Sequence, residues 1–178
     1  MSEKKGMVEK AKGEMRLSER ILAALPGFRG YKEKEIRRES DKLIRNHLYQ
    51  RLMEGRSDLK VTFQTVSDNH LQEVITDMDR LVMRYDRVSE KINHASYGYA
   101  GFFNVVKIEE EKLDKMIAFD TGLMDEVENI VTEVSTFKKE VNKQNFETAR
   151  NHLNNLNDML EALEETFDQR HEVIEGAI

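Results

Sequence analysis

Between Phe63 and Ala95 the apolar residues recur at steps of three and four: Phe63, Val66, His70, Val74, Met78, Leu81, Tyr85, Val88, Ile92, Ala95. That spacing puts one stripe along one side of an α-helix. A strand would need alternation at every second residue, and there is none here. A helix from Leu59 to Ala95 would be about 55 Å long at 1.5 Å per residue. It can bury a single stripe only by lying lengthwise against other helices. The stretch therefore predicts an all-α chain in which everything else packs on this rod or connects to it.

Two later stripes have the same character. Leu113, Met116, Asp120, Leu123, Val127, Ile130, Val134, Phe137 and Val141 follow a heptad. A last seam runs through Phe146, Ala149, Leu153, Leu156, Leu160, Leu163, Phe167, His171 and Ile174 at steps of three and four. The polar run Asn142-Lys143-Gln144-Asn145 separates them and reads as a short reversal. Three seams of comparable length with short reversals predict an elongated antiparallel helical bundle with coiled-coil-like packing. Asp120, followed by Thr121-Gly122, is expected to cap a new helix and mark a kink. Its sharper reading is a polar core residue that fixes register, or a metal ligand. Three successive four-residue steps, Val66-His70-Val74-Met78, predict a locally unwound supercoil. No repeat of fixed length is apparent, which argues against a solenoid.

The amino-terminal part reads differently. An amphipathic helix is expected over Glu3 to Leu25, ended by Pro26-Gly27. A second helix is expected from Tyr31 to about Glu54, on a seam of Ile36, Ser40, Leu43, His47 and Leu52 supported by Ile44 and Leu48. Gly55 marks a break or weak point there, with Asp58 as N-cap of the long rod. Residues 1–55 thus form basic and amphipathic helices joined by a Pro-Gly turn, and 56–178 form the bundle, as one structural domain overall.

The 178-residue chain carries 35% charged residues, one Pro and no Cys or Trp, the composition of long solvated helices. Without cysteine there is no disulfide framework and no thiolate metal site. No apolar run approaches the roughly 18 residues needed to cross a bilayer, and the amino-terminus does not resemble a secretory signal. A soluble cytoplasmic protein is the expectation. Charge is uneven: residues 1–60 hold 16 Lys and Arg against 10 Asp and Glu, and residues 61–178 hold 12 against 24.

Two stretches are unlike bundle filler. Arg29 to Arg45 contains Arg29, Lys32, Lys34, Arg37, Arg38, Lys42 and Arg45, a candidate surface for anionic membrane or nucleic acid. Interleaved acids at i,i+4, such as Glu33 before Arg37, give the plainer reading of a solvated helix face. Tyr97-Gly-Tyr-Ala-Gly-Phe-Phe103 is expected to hold the main chain reversal. Its rings either plug the end of a bundle or anchor a partner. Candidate partner-contact residues are Phe28, Arg29, Tyr31, Arg37, Arg38, Tyr99, Phe102 and Phe103, because unusual residues concentrate at breaks between regular helices.

The segments Leu25-Pro-Gly-Phe-Arg-Gly-Tyr-Lys-Glu-Lys-Glu-Ile-Arg-Arg-Glu and Tyr97-Gly-Tyr-Ala-Gly-Phe-Phe resemble an uncharacterised prokaryotic all-helical family. That resemblance implies an all-helical fold and no particular activity. In style the seams resemble stress-associated membrane scaffolds and spectrin-like modules. Glu110-Glu111-Lys-Leu-Asp114 and Asp125-Glu-Val-Glu128 look like blurred versions of the Mg²⁺-binding motifs of MazG-type nucleotide pyrophosphohydrolases. Acidic runs on helix faces are common, however, and a Mg²⁺ site needs converging oxygens. Only Asp168-Gln-Arg-His171 approximates the Glu-x-x-His spacing of di-iron bundles. No nucleophile–base set, phosphate loop or zinc signature is present. The expectation is a non-catalytic helical scaffold or adaptor, without cofactor or metal, contacting another protein or itself as a homo-oligomer.

Overall fold

Residues 34–69, 72–95 and 110–175 are described by a computed structural model. They form four helices: α1 (Lys34–Asp68), α2 (Gln72–His94), α3 (Glu110–Asn142) and α4 (Phe146–Glu175). There is no strand among the described residues. The chain is an all-α helical bundle. The expected helix over Glu3 to Leu25 and its Pro-Gly turn lie outside the described residues.

Two compact units are distinguished. The larger comprises 46–96 and 123–168. Its core is the set of stripes read from the sequence. Leu48, Leu52, Leu59 and Val66 of α1 are fully buried, as are Met78, Leu81, Tyr85, Val88 and Ile92 of α2. Leu123 to Val141 on α3 and Ala149 to Phe167 on α4 supply the other two rows. Each apolar side chain removed from water contributes roughly 1.5–3 kcal/mol, so these rows are the main force holding the helices together.

Polar cross-links give the helix directions. Tyr49 donates to Glu90 at 3.2 Å and Arg56 to Asp86 at 3.0 Å, so α1 and α2 are antiparallel. Thr166 meets Glu126 and His152 meets Glu133, so α3 and α4 are antiparallel too. Arg51 bonds Glu128 and Lys138 bonds Asp58, numbers rising together: α1 and α3 run parallel. Arg84 with Glu161 and Lys91 with Asp168 make α2 and α4 parallel. The pairs α1–α2 and α3–α4 are therefore antiparallel hairpins, and the two hairpins meet along parallel helix pairs.

The two hairpins share one burial register. Leu48, Leu52, Gly55, Leu59, Thr62 and Val66 are buried on α1, and Leu123, Val127, Ile130, Val134, Phe137 and Val141 on α3. Each residue of the second set lies 75 positions after its counterpart. The same shift carries Val74, Met78, Leu81, Tyr85, Val88 and Ile92 onto Ala149, Leu153, Leu156, Leu160, Leu163 and Phe167. A repeat is thus present where none was apparent in the letters. It is a repeat of which positions are buried, with only Leu48/Leu123, Val66/Val141 and Leu81/Leu156 identical.

Several expected features are corrected. The helix does not break at Gly55: α1 runs through it, because Gly55 is a buried row position. A Cβ there would collide with the Tyr85 hydroxyl, so the glycine is the hole that receives the Tyr85 ring. Asp58 is accordingly no N-cap; it sits mid-helix, bonded by Lys138 at 2.7 Å. Nor is Leu59 to Ala95 one rod. The helix ends at Asp68, with Asn69 in a turn, and α2 begins at Gln72. The Thr65 carbonyl accepts both the Asn69 N–H at 3.2 Å and Asn69 Nδ2 at 2.7 Å, a doubled bond at the end of the helix. The four-residue steps around His70 thus bridge a helix end; His70 itself lies outside the described residues. On α1 the deepest row is Ile44, Leu48 and Leu52, while Leu43 and His47 are half-buried.

The reversal at 143–145 falls where the polar run placed it. Gln144 takes a left-handed backbone, φ 61°. Its N–H reaches Val141 O at 2.9 Å and the Asn145 N–H reaches Glu140 O at 3.0 Å. That pair of bonds is the Schellman ending, here without the usual glycine. Asn145 O then accepts the first α4 bond, from the Ala149 N–H at 2.9 Å.

The smaller unit contributes described residues 34–45, 110–122 and 169–175. Here charge is buried. Asp120 accepts two bonds from Arg170, at 2.7 and 3.1 Å, and the two side chains are 2% and 5% exposed. Arg45 and Thr121 are buried as well. The helix is continuous through Asp120-Thr121-Gly122, so Asp120 caps nothing. It is the polar core residue of the alternative reading.

Candidate functional site

Most of the residues singled out from the sequence fall beyond what the structure describes. Phe28, Arg29, Tyr31, Tyr99, Phe102 and Phe103 lie outside the described residues. Arg37 and Arg38 fall on the first turns of α1, where only the backbone is described. Of the seven basic residues between Arg29 and Arg45, Lys42 is exposed, but Arg45 is 6% exposed and cannot belong to an open basic face.

The acidic runs do not converge where they are described. Glu128 is held by the Arg51 guanidinium, whose Nη2 donates to Oε2 at 2.6 Å. That bond keeps the Glu128 carboxyl below the usual glutamate range. Glu126 turns instead toward Thr166, 3.2 Å away, and its Oε2 is buried without a partner. No three His, Asp or Glu side chains gather as metal ligands among the described residues. His47 is lowered from its ordinary value, mainly by burial and against the pull of Glu128. His152 sits against Glu133 at 2.8 Å and His94 against Glu90 at 3.0 Å.

A groove of about 500 Å³ opens on the larger unit between α2 and α4. Its α2 wall carries Arg80, Met83, Arg84 and Arg87; Leu153, Asn154 and Asn157 form the α4 wall. The helical repeat builds this wall. Residues three and four apart share a face, so Arg80, Met83, Arg84 and Arg87 stand together, one row round from buried Leu81, Tyr85 and Val88. Arg84 is tied down, donating to Glu161 at 2.8 Å and to the Asn157 carbonyl at 3.1 Å. Arg87 donates to Glu164 at 2.7 Å yet keeps 62% of its side chain in solvent. Arg80 is 71% exposed and stays 3.7 Å from Asp77, beyond a hydrogen bond.

Met83 is 57% exposed in the middle of these arginines. With Val61, at 52%, it is one of two large apolar side chains left in water among the described residues. Sequence reasoning missed this face because it looks for apolar stripes, and one methionine among charges makes none. The legible signal was the order of charges around it, Asp79-Arg80 before and Asp86-Arg87 after.

Such a wall offers contact chemistry: an unbranched thioether for packing and guanidinium groups for carboxylates. No described helix is long and apolar enough to cross a membrane. No family model, no curated protein and no solved structure matches the chain.

Proposed function

We propose that this chain is a non-catalytic helical scaffold or adaptor that contacts another protein or a second copy of itself. The observation that supports this most is the division of labour in the larger unit. Its large apolar side chains line helix–helix seams, and its polar ones lace neighbouring helices together. Met83 and the partly engaged arginines beside it are left facing outward. A rigid rack of helices presenting one apolar residue in a charged setting suits docking against a surface.

The aromatic segment Tyr97 to Phe103 is part of the same reading, with Tyr99, Phe102 and Phe103 as contact residues. Phe28, Arg29, Tyr31, Arg37 and Arg38 form the leading contact group, with the aromatic segment second. The reading takes the protein as cytoplasmic and working without a cofactor. It is tested by capture with the full chain as bait, comparing wild type with the double variant Phe102→Ser, Phe103→Ser. The expected result is loss of the captured protein with helix content by circular dichroism unchanged. Unfolding of the double variant, or capture that survives it, would remove that segment as a contact site.

A further inference from the structure

The seam between α2 and α4 is a ladder of charges with a fixed offset. Arg84 pairs with Glu161, Arg87 with Glu164 and Lys91 with Asp168, each acid 77 positions after its cation. Arg80, Arg84, Arg87 and Lys91 follow at steps of four, three and four, so they share one stripe of α2. The same offset carries Arg80 onto Asn157, an amide where the ladder calls for a carboxylate. Arg80 instead stands 3.7 Å from Asp77 Oδ1, while Arg150 of α4 stands 3.6 Å from Oδ2 of the same residue. Neither distance is a hydrogen bond. Along this seam five cations, Arg80, Arg84, Arg87, Lys91 and Arg150, therefore meet four carboxylates, Asp77, Glu161, Glu164 and Asp168.

The unmatched charge sits at the groove. Arg80 and Met83 line it on α2, and Asn154 and Asn157 on α4. Arg80, Arg150 and Met83 are all exposed. Arg87 shares Glu164 with Lys91 and also stays mostly in solvent. Arg80 and Arg87 are seven positions apart, about 10 Å along the helix axis. One face of an incoming helix repeats over the same seven residues, so it can set a carboxylate against each arginine. Met83 falls between the two arginines and offers its thioether to an apolar side chain of that helix.

We propose that the groove between α2 and α4 docks an acidic, partly apolar helix of another protein, which supplies the carboxylate missing opposite Arg80. Charge decides the class of partner. Residues 61–178 hold 12 Lys and Arg against 24 Asp and Glu, and Glu161, Glu164 and Asp168 continue the same seam. A nucleic-acid strand brings a phosphate at every residue and meets that negative field along its whole length. A helix with two placed acids satisfies the arginines and meets the field with little charge. The inference rests on the adaptor reading above and names the chemistry of its partner. Exposed arginine–carboxylate pairs contribute modestly and are screened by salt, so the docking is weak and salt-sensitive.

The probe is a labelled helical peptide with two glutamates seven residues apart and leucines between them; its twin carries glutamines in their place. In fluorescence anisotropy with the full-length protein, the glutamate peptide is expected to bind at least tenfold more tightly than the twin. Arg80→Ala is expected to weaken that binding at least tenfold. Asn157→Asp, which supplies the missing carboxylate from within, is expected to do the same. Lys60→Ala, which removes an exposed cation on α1, is expected to leave it unchanged. The Met83 methyl resonance is expected to shift as the peptide is added. Circular dichroism checks that each variant folds. No binding of the glutamate peptide at about 1 mM in low salt, or no preference over its twin, would overturn the proposal. So would binding indifferent to Arg80→Ala or to Asn157→Asp, a Met83 methyl that does not move, or tighter binding of a single-stranded oligonucleotide. The Phe102→Ser, Phe103→Ser variant is expected to bind the peptide as wild type does, so the contact segment at 97–103 and this groove fail separately.

Discussion

Glu126 is the residue whose chemistry is least settled by its surroundings. Thr166 has one hydroxyl hydrogen and two acceptors in reach, the Ala162 carbonyl at 2.9 Å and Glu126 Oε1 at 3.2 Å. Given to the carbonyl, that hydrogen leaves the carboxylate without a donor there, while Oε2 is buried and unpartnered. A protonated Glu126 would donate to the Thr166 oxygen instead. Burial accordingly pushes the Glu126 carboxyl above the usual glutamate range, and the Thr166 bond only partly opposes it. An acid whose folded pKa is raised weakens the fold as pH rises from the unfolded value through the folded one, because the native state must release a proton it holds more tightly. Glu128, depressed by Arg51, acts in the opposite sense and loses its contribution as pH falls. The two overlap in any single profile, so the difference between wild type and Glu126→Gln isolates the first. That variant is expected to gain stability over wild type as pH rises from about 4 to about 8, read from urea midpoints. A constant offset across that range would show that Glu126 does not titrate in this way.

At the scale of the element, the buried ion pair of Asp120 and Arg170 joins α3 to α4 within the smaller unit. Removing one member of such a pair strands the other charge away from water, at a cost of about 3–5 kcal/mol. Replacing both by apolar residues avoids that cost and is often neutral. Arg170→Met is therefore expected to destabilise strongly, and Asp120→Leu added to it to restore most of the loss in denaturant titrations. Additive losses would mean that the pair is not the dominant interaction of either side chain.

The same residue shows what was legible. Asp120 was visible as a polar interruption of a heptad, but its partner lies 50 residues away, and a one-dimensional pattern does not pair distant charges. The stripes on α3 and α4, and the reversal at 143–145, were readable because period and polarity agree there. The break between α1 and α2 was misplaced for a physical reason. Gly55 suggests a break by its low helix propensity, about 1 kcal/mol below alanine, yet the packed Tyr85 ring outweighs that. Ser67-Asp68-Asn69 carries the subtler signal of side chains that compete for backbone hydrogen bonds, and Asn69 uses it. Of the contact residues drawn from the sequence, none falls on the α2 face. That face is defined by what remains exposed after four helices have packed, and exposure follows from the fold.

For the molecule, the 75-residue register implies two hairpins solving one packing problem with different residues. Where the first hairpin sets Gly55 on α1 and Tyr85 on α2, the second has Ile130 and Leu160 at the equivalent positions. The first uses a very small residue and a very large one; the second uses two of middle size. If the register is shared, the first hairpin should tolerate a move toward the second's solution only when both positions change. Gly55→Ala alone drives a Cβ into the buried Tyr85 hydroxyl and to 3.3 Å from the ring carbon that bears it. Overpacking of that kind costs about 1–3 kcal/mol, more than the roughly 1 kcal/mol gained in helix propensity. Tyr85→Leu alone removes a hydroxyl that has no hydrogen-bond partner but opens a void beside the glycine. Together the added methyl group fills part of the space the ring leaves. The double variant is expected to be more stable than the sum of the single changes predicts, by about 0.5–3 kcal/mol in a double-mutant cycle. Strict additivity would mean that Gly55 and Tyr85 do not share one hole, and the equivalence of the two hairpins would lose its physical basis at the position where their sequences differ most.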